Sequence, residues 1–282
     1  MPGFTSRDNV VEAYATGQTE SYVFNKFVAS SIWHGTPAWT ALRTKTGVPA
    51  LETVNPANAT TTNYTGGNLN FPSRSATAGY RRSLLSFSAV AQTNSQGVLA
   101  LYDRIQAVGA NFAITTGRTP VTGVNVGRYG GASGSNSGAN NELWIEQVTQ
   151  STAASTHQIT YQDTSGTPRT GASFLVPLAV VRTGTMYRYP MLAASASHGV
   201  VQIVSAGGTN AAGGTGSYVI MKPIAFVSIT APNVTSEINF LDNVLTMPRI
   251  HDSANLQLMW LPTNTVSNAA LAISGTITTV YN

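Results

Sequence analysis

Beyond about residue 83 the chain repeats one pattern: a short run of β-branched, aromatic and other apolar residues, then a cluster of Gly, Pro, Ser, Thr and Asn. The runs LLSFSAVAQ (Leu84–Gln92), LWIEQVTQ (Leu143–Gln150), HQITYQD (His157–Asp163), VVQIVSA (Val200–Ala206), LQLMWLP (Leu256–Pro262) and LAISGTITTVY (Leu271–Tyr281) have the length and composition of strands. Turn clusters such as TNSQG, QDTSGTPRTG and GGTNAAGGTG stand between them and supply the positive φ angles and fixed Pro φ that reversals need. VLALYDRIQAVG (Val98–Gly109) also suits a helix by propensity, but it follows a turn signal and its first half is mostly apolar, so it reads as a strand. Strands in succession with little helix predict an all-β fold, here a jelly-roll-like β-sandwich over residues 83–282.

Residues 1–82 have another texture and read as an extended, partly helical N-terminal docking arm. Thr19 can cap one short helix in which Tyr22, Phe27, Val28 and Ile32 share a face, ending before Gly35 and Pro37. Pro37, Pro49, Pro56, Pro72 and the polar tract NPANATTTNYTGGNLN (Asn55–Asn70) follow. Such a tract buries too little apolar area to offset its ordering entropy unless it lies on another surface. Trp33, Trp39, Tyr64 and Phe71 are spaced along it as candidate partner-binding anchors; the alternative is that they fold back onto the arm's own body.

Composition sharpens this. Charged residues are only 9% of the chain, against roughly 25% in ordinary domains, and Thr, Ser, Asn, Ala and Gly take their place. Small neutral residues can lie at a protein contact without the desolvation cost of a buried Lys or Glu. The formal charge is +4, with 12 Arg against 3 Lys, and the cations are scattered, Arg81-Arg82 being the one adjacent pair. That argues against nucleic acid, which selects a basic stripe, and suits protein interfaces, where the planar Arg fork is favoured. With no Cys there are no disulfides or thiolate sites. The N-terminal residues lack a signal-peptide pattern, and the most apolar stretch, Phe174–Val181, is too short for a membrane span. The expectation is a protein made in the cytoplasm, with no membrane partner.

Candidate chemistry is sparse. His34, His157, His198 and His251 show no HExxH or H-x-H spacing, and no G-x-S-x-G elbow occurs. The glycine-rich stretches Arg128–Asn141 and Ser205–Ser217 lack the Lys-Ser/Thr ending of a phosphate loop and read as exposed loops. Glu142 and Glu146 would share one face of a strand, as a glycosidase pair or, more simply, on the solvated face opposite Leu143 and Ile145. No catalytic, cofactor-binding or metal-binding residue is assigned, no cofactor is expected, and the chain reads as a binding protein and not an enzyme.

The segment from about Arg81 to Pro223, with GVLALYDRIQAVG, ELWIEQVT and SYVIMKPIAFVSI, resembles structural proteins of tailed-bacteriophage particles. The resemblance covers about half of the chain and rests on strand-and-turn texture with Leu101, Tyr102, Asp103, Arg104, Val108, Gly109, Lys222 and Pro223. It implies a β-sandwich protein of the head-decoration or minor-capsid type, located in the virion and partnered by capsid or other virion proteins. No catalytic residue comes with it. Symmetry implies a homo-oligomer, with a trimer preferred at a viral lattice point. The alternative is a receptor- or carbohydrate-binding module of a tail or head fibre, with Tyr129, Tyr187 and Tyr189 as sugar platforms. A hydrolase is the third reading.

Overall fold

The computed structural model of the chain describes residues 4–28, 38–51, 69, 71, 82–92, 95–113, 138–149, 153–176, 184–191, 199–208, 215–251, 254–263 and 271–281. In chain order these form helix α1 (Arg7–Ala15) and strands β1 (Thr19–Val28), β2 (Trp39–Ala41), β3 (Thr46–Val48), β4 (Arg82–Ala91), β5 (Gly97–Ala113), β6 (Glu142–Thr149), β7 (Ser155–Gln162) and β8 (Pro168–Thr170). There follow β9 (Phe174–Val176), β10 (Thr185–Arg188), β11 (Gln202–Gly208), β12 (Thr215–Ile229), β13 (Ser236–Asn239), β14 (Arg249–Ile250), β15 (Leu256–Pro262) and β16 (Leu271–Tyr281). Short 3-10 turns at Leu42–Thr44 and Leu241–Thr246 complete them. The fold is all-β, and each strand run named from the sequence is a strand, the ambiguous Val98–Gly109 included.

Three strand layers make up the body. In the middle, β10, β2, β15, β5, β12 and β6 close into a six-stranded barrel. On one side lies a six-stranded sheet in the order β13-β4-β16-β1-β3, with β14 also on β4; on the other lies a four-stranded sheet in the order β9-β7-β11, with β8 on β7. The long antiparallel pair of β5 and β12 holds the middle together, and its register shifts near Gly216, Met221 and Pro223 coil it. Pro223 has no N–H for the ladder, and it stands at one of these shifts, where a strand tolerates proline.

Alternation assigns the faces. Leu99 and Leu101 of β5, Leu258 and Trp260 of β15 and Val227 of β12 point out of the barrel onto Phe24, Phe87, Ile273 and Ile277 of the six-stranded sheet. Leu143 and Ile145 of β6 with Tyr218 and Ile220 of β12 pack instead on Ile159, Tyr161 and Ile203 of the four-stranded sheet. The opposite residues of the same strands, Ala100, Tyr102, Trp144, Val219, Met221 and Met259, form the barrel's own cluster. Barrel strands are thus buried on both sides.

One element differs from expectation. Thr19–Val28, expected as part of a helix near residues 19–33, is a strand paired along its whole length with β16, from Thr19↔Val280 to Val28↔Leu271. Its inward residues are Glu20, Tyr22, Phe24 and Lys26 and its outward ones Ser21, Val23, Asn25 and Phe27. Each face mixes polar with apolar residues, so no period-2 signal is visible and the three-four spacing of a helix fits by accident. The helix lies earlier. Ser6 caps α1 by accepting from Asn9 N at 3.3 Å, and Gly17, at φ +74, turns the chain back into β1.

Candidate interaction surface

The outer face of the six-stranded sheet is set by strand register. Ser21, Thr278, Ser86 and Asn239 stand side by side in one row across β1, β16, β4 and β13; Val23, Thr276, Ser88 and Glu237 form the next. Val48, Asn25, Ser274 and Val90 follow across β3, β1, β16 and β4, then Thr46, Phe27 and Ala272. Val23 is 65% exposed, Val48 54% and Phe27 48%. Among these described residues Glu237 alone carries a charge. Cross-strand hydroxyl and amide pairs bind the rows: Ser21 Oγ and Thr278 Oγ1 are 3.2 Å apart, and Ser274 Oγ donates to Asn25 Oδ1 at 3.0 Å.

One end of this face is already occupied. Phe4, Val10 and Ala13, on and just before α1, bury Val280 of β16, with Leu85, Leu241, Val244 and Met247 around them. Arg7 and Asp242, both well exposed, pair at 3.4 Å where the helix meets the Leu241–Thr246 turn. Large apolar side chains on the same sheet are therefore covered at the α1 end and bare at the Val23 end. A neutral face of hydroxyl and aliphatic side chains can pack on another neutral surface without desolvating charges.

The titratable clusters are elsewhere, and their carboxylates are buried. Within the barrel Glu146 accepts from Arg104 Nη2 at 2.7 Å and from Arg43 Nη2, while Arg104 Nη1 donates to Gln257 at 3.2 Å. Burial alone pushes the Glu146 carboxyl up, but the two guanidinium groups outweigh it and hold the group below the usual carboxylate range. At another level of the barrel Glu142 accepts from Tyr102 OH at 3.2 Å and Trp144 Nε1 at 3.1 Å, and pairs with Arg188 at 2.7 Å. Burial raises the Glu142 carboxyl, with Arg188 and the two hydrogen bonds opposing it.

Between barrel and four-stranded sheet, Ser155 Oγ lies 2.7 Å from His157 Nε2, and His157 Nδ1 lies 3.0 Å from Tyr218 OH. The order Ser-His-Tyr has the spacing of a proton relay, yet Ser155 and His157 are fully buried. A nucleophile must reach its substrate, so this chain of groups fixes one layer to the next. Burial lowers the His157 imidazole to about 4, leaving it neutral at ordinary pH. Among the described residues no group of three or more His, Asp or Glu side chains is placed to hold a metal ion.

No family model matches the chain, and no curated protein matches it in sequence. Weak similarity exists to solved capsid structures of infectious bursal disease virus. The VP2 subviral particle gives a TM-score of 0.24 at 7% identity, covering 93% of this chain and 80% of that one. The Gx strain structure gives 0.21 at 7% identity, covering 94% and 82%, and the T=1 particle 0.20 at 8% identity, covering 93% and 77%. Scores this low establish neither a common fold nor a common role.

The anchors named from the sequence separate into two groups. Trp33 and Tyr64 lie outside the described residues. Trp39 opens β2 and stacks edge-on against Trp144 of the barrel, with centroids 6.0 Å apart. Phe71 packs edge-on against Tyr22 at 6.0 Å, and the Arg82 guanidinium sits 4.8 Å above its ring. Both described anchors touch their own chain.

Two further expectations are corrected. The Glu142–Glu146 face of β6 is barrel interior and not solvated, because closure buries the second side of the strand. Four residues of strand also set their Cα atoms about 13 Å apart, and each carboxylate is turned to its own Arg partners. Tyr187 and Tyr189, expected as exposed platforms, belong to the core beside the four-stranded sheet; Tyr129 lies outside the described residues. Sequence reasoning missed the Val23–Phe27 face, although alternating hydroxyl positions in LLSFSAVA and LAISGTITTVY signal it.

Proposed function

We propose that this chain is a structural subunit of a virus particle that works by binding neighbouring protein subunits through the outer face of its six-stranded sheet. The observation that carries this reading is that face: bare apolar side chains at Val23, Phe27 and Val48 set among small hydroxyls, with Glu237 the one charge in the four rows that hold them and exposed Arg249 on β14 toward the α1 end. The neutral composition of the whole chain and its resemblance to tailed-phage head proteins favour the virion as the setting, with decoration or minor capsid protein as the particular role and a trimer as the unit. Burial of Glu146, Ser155 and His157 favours binding over catalysis as the activity. Such a contact stabilises a shell by mass action, because whatever binds only the assembled state shifts the equilibrium toward it. The attachment surface is assigned to the sheet, since Trp39 and Phe71 are spent on contacts inside the chain.

The test is mass spectrometry of density-gradient fractions from a culture producing the particle. The chain is expected in the particle band at a fixed ratio to the shell protein. Its recovery only in particle-free fractions would refute the reading.

A further inference from the structure

We propose that Arg43 is a positioning residue for the attachment surface: seated on Glu146 inside the barrel, it keeps β3, and with it the Val48 edge of the outer face, docked on β1. This rests on the reading of that face as the attachment surface and names a residue that sets its shape. The chain makes an excursion here. β1 ends at Val28 in the six-stranded sheet, β2 closes the barrel, and β3 returns to the first sheet by pairing Thr46, Gly47 and Val48 with Phe27, Lys26 and Asn25. Among the described residues β10 and β15 are joined in the barrel only through β2, with two rungs on either side. Residues 39–48 therefore tie two layers of the body together.

β3 has little of its own to hold it. Three rungs at a sheet edge make a marginal ladder, and Thr46 and Val48 point to solvent, so the strand buries no large side chain. Nor can it settle in a neighbouring register. A slip would bring Thr46 or Val48 to the place of Gly47, where a Cβ would run into the Asn25 carbonyl oxygen. The strand is either docked in this register or off the sheet, and its anchors lie beyond its ends. Lys26 Nζ donates to Lys45 O at 3.3 Å and Pro49 O at 2.5 Å, the carbonyls that flank β3. Upstream, Leu42 is buried between barrel and sheet, while Arg43 turns the other way and donates to Glu146. The turn from Arg43 to β3 is stiff: Lys45 N donates to Leu42 O at 3.0 Å and Thr44 Oγ1 to Ala41 O at 3.0 Å. Gly184, at φ +88, backs the turn so closely that a Cβ there would run into Thr44 Oγ1. Through so short a spacer Arg43 cannot leave Glu146 without moving Thr46, and β3 cannot lift without pulling on the ion pair. A two-state strand biased by a remote contact is what physical coupling requires.

The experiment is amide hydrogen exchange on the full chain for wild type, Arg43→Met and Arg104→Met. Both variants leave Glu146 one guanidinium, but only Arg43 is joined to β3 by the turn. In Arg43→Met the protection of the β3 amides is expected to fall about tenfold or more beyond any fall at the centre of β16, and in Arg104→Met to fall no further than β16 does. If circular dichroism shows Arg43→Met unfolded, Arg43→Lys carries the comparison. Unchanged β3 protection, an equal fall in both variants, or β3 amides already unprotected in wild type would each overturn the proposal. Density-gradient fractions extend the test to the surface: Arg43→Met is expected in the particle band at a lower ratio than Arg104→Met. A loosened β3 with entry equal to that of Arg104→Met would take β3 out of the attachment surface and overturn the proposal. Absence of the wild-type chain from the band would instead refute the virion reading and leave the exchange result standing.

Discussion

Arg104 Nη2 donates to Glu146 Oε2 at 2.7 Å in a place where neither side chain meets water. Arg43 reaches the same carboxylate, so one negative charge serves two buried positive ones. Replacing the acid by its isosteric amide removes the carboxylate that both buried guanidinium groups share. Glu146→Gln is expected to cost about 3 to 5 kcal/mol, read as a shift of the urea midpoint at unchanged slope. A loss under about 1 kcal/mol would mean that the barrel relaxes or admits water.

His157 gives the protein an acid-sensitive window. Its folded value, about 4, lies below the unfolded 6.5, so between those values the unfolded chain binds the proton and the folded one does not. Stability from this group is complete above pH 6.5 and falls as pH drops toward 4, by about 3 kcal/mol at most. Urea midpoints at pH 7.0, 5.5 and 4.5 are expected to descend, and His157→Gln to flatten that descent. An equal slope in the variant would assign the acid sensitivity to other groups.

Lys26 acts at the alkaline end. Its Nζ donates to Pro49 O at 2.5 Å and Lys45 O at 3.3 Å beneath the sheet, and burial lowers the amine to about 8. Between pH 8 and the ordinary 10.5 the unfolded chain holds a proton that the folded chain has released, so this group makes stability rise with pH. Comparing wild type with Lys26→Met at pH 8.0 and 9.5 isolates it: the rise belongs to wild type and is absent in the variant.

Gly275 has no room for a side chain. A Cβ there would stand 2.0 Å from the Ser88 carbonyl oxygen and 2.5 Å from the Phe24 ring. Gly275→Ala is expected to force β16 away from β4 and cost about 2 kcal/mol or more, a fall in melting temperature of roughly 4 to 8 °C. An unchanged melting curve would show that the Phe24 ring yields freely.

Strands were legible in the sequence because each carries its own apolar run and its own turn residues. Layering was not. LWIEQVTQ has the same alternation whether its Glu side faces water or a barrel interior, and what decides between them is closure by β10 and β2 together with Arg43 and Arg104, all remote in sequence. β1 was misread for the opposite reason. Glu20 and Lys26 face inward to meet Arg82 and two backbone carbonyls, while Val23 and Phe27 face out, so local hydrophobicity there reports tertiary partners and an open surface instead of strand period. The hydroxyl positions of the outer face were visible singly; only the register of β1, β16 and β4 lines them up.

The pairing of β1 with β16 also sets a schedule for synthesis. The nearest rung, Val28 to Leu271, joins residues about 240 positions apart, a separation that places this sheet among the slowest contacts a chain can close. While a ribosome is still making the intervening residues, β1 has no β16 to lie against and the outer face does not exist. A product that stops before Leu271 never acquires that face. That face is complete only once the polypeptide has been read through Tyr281.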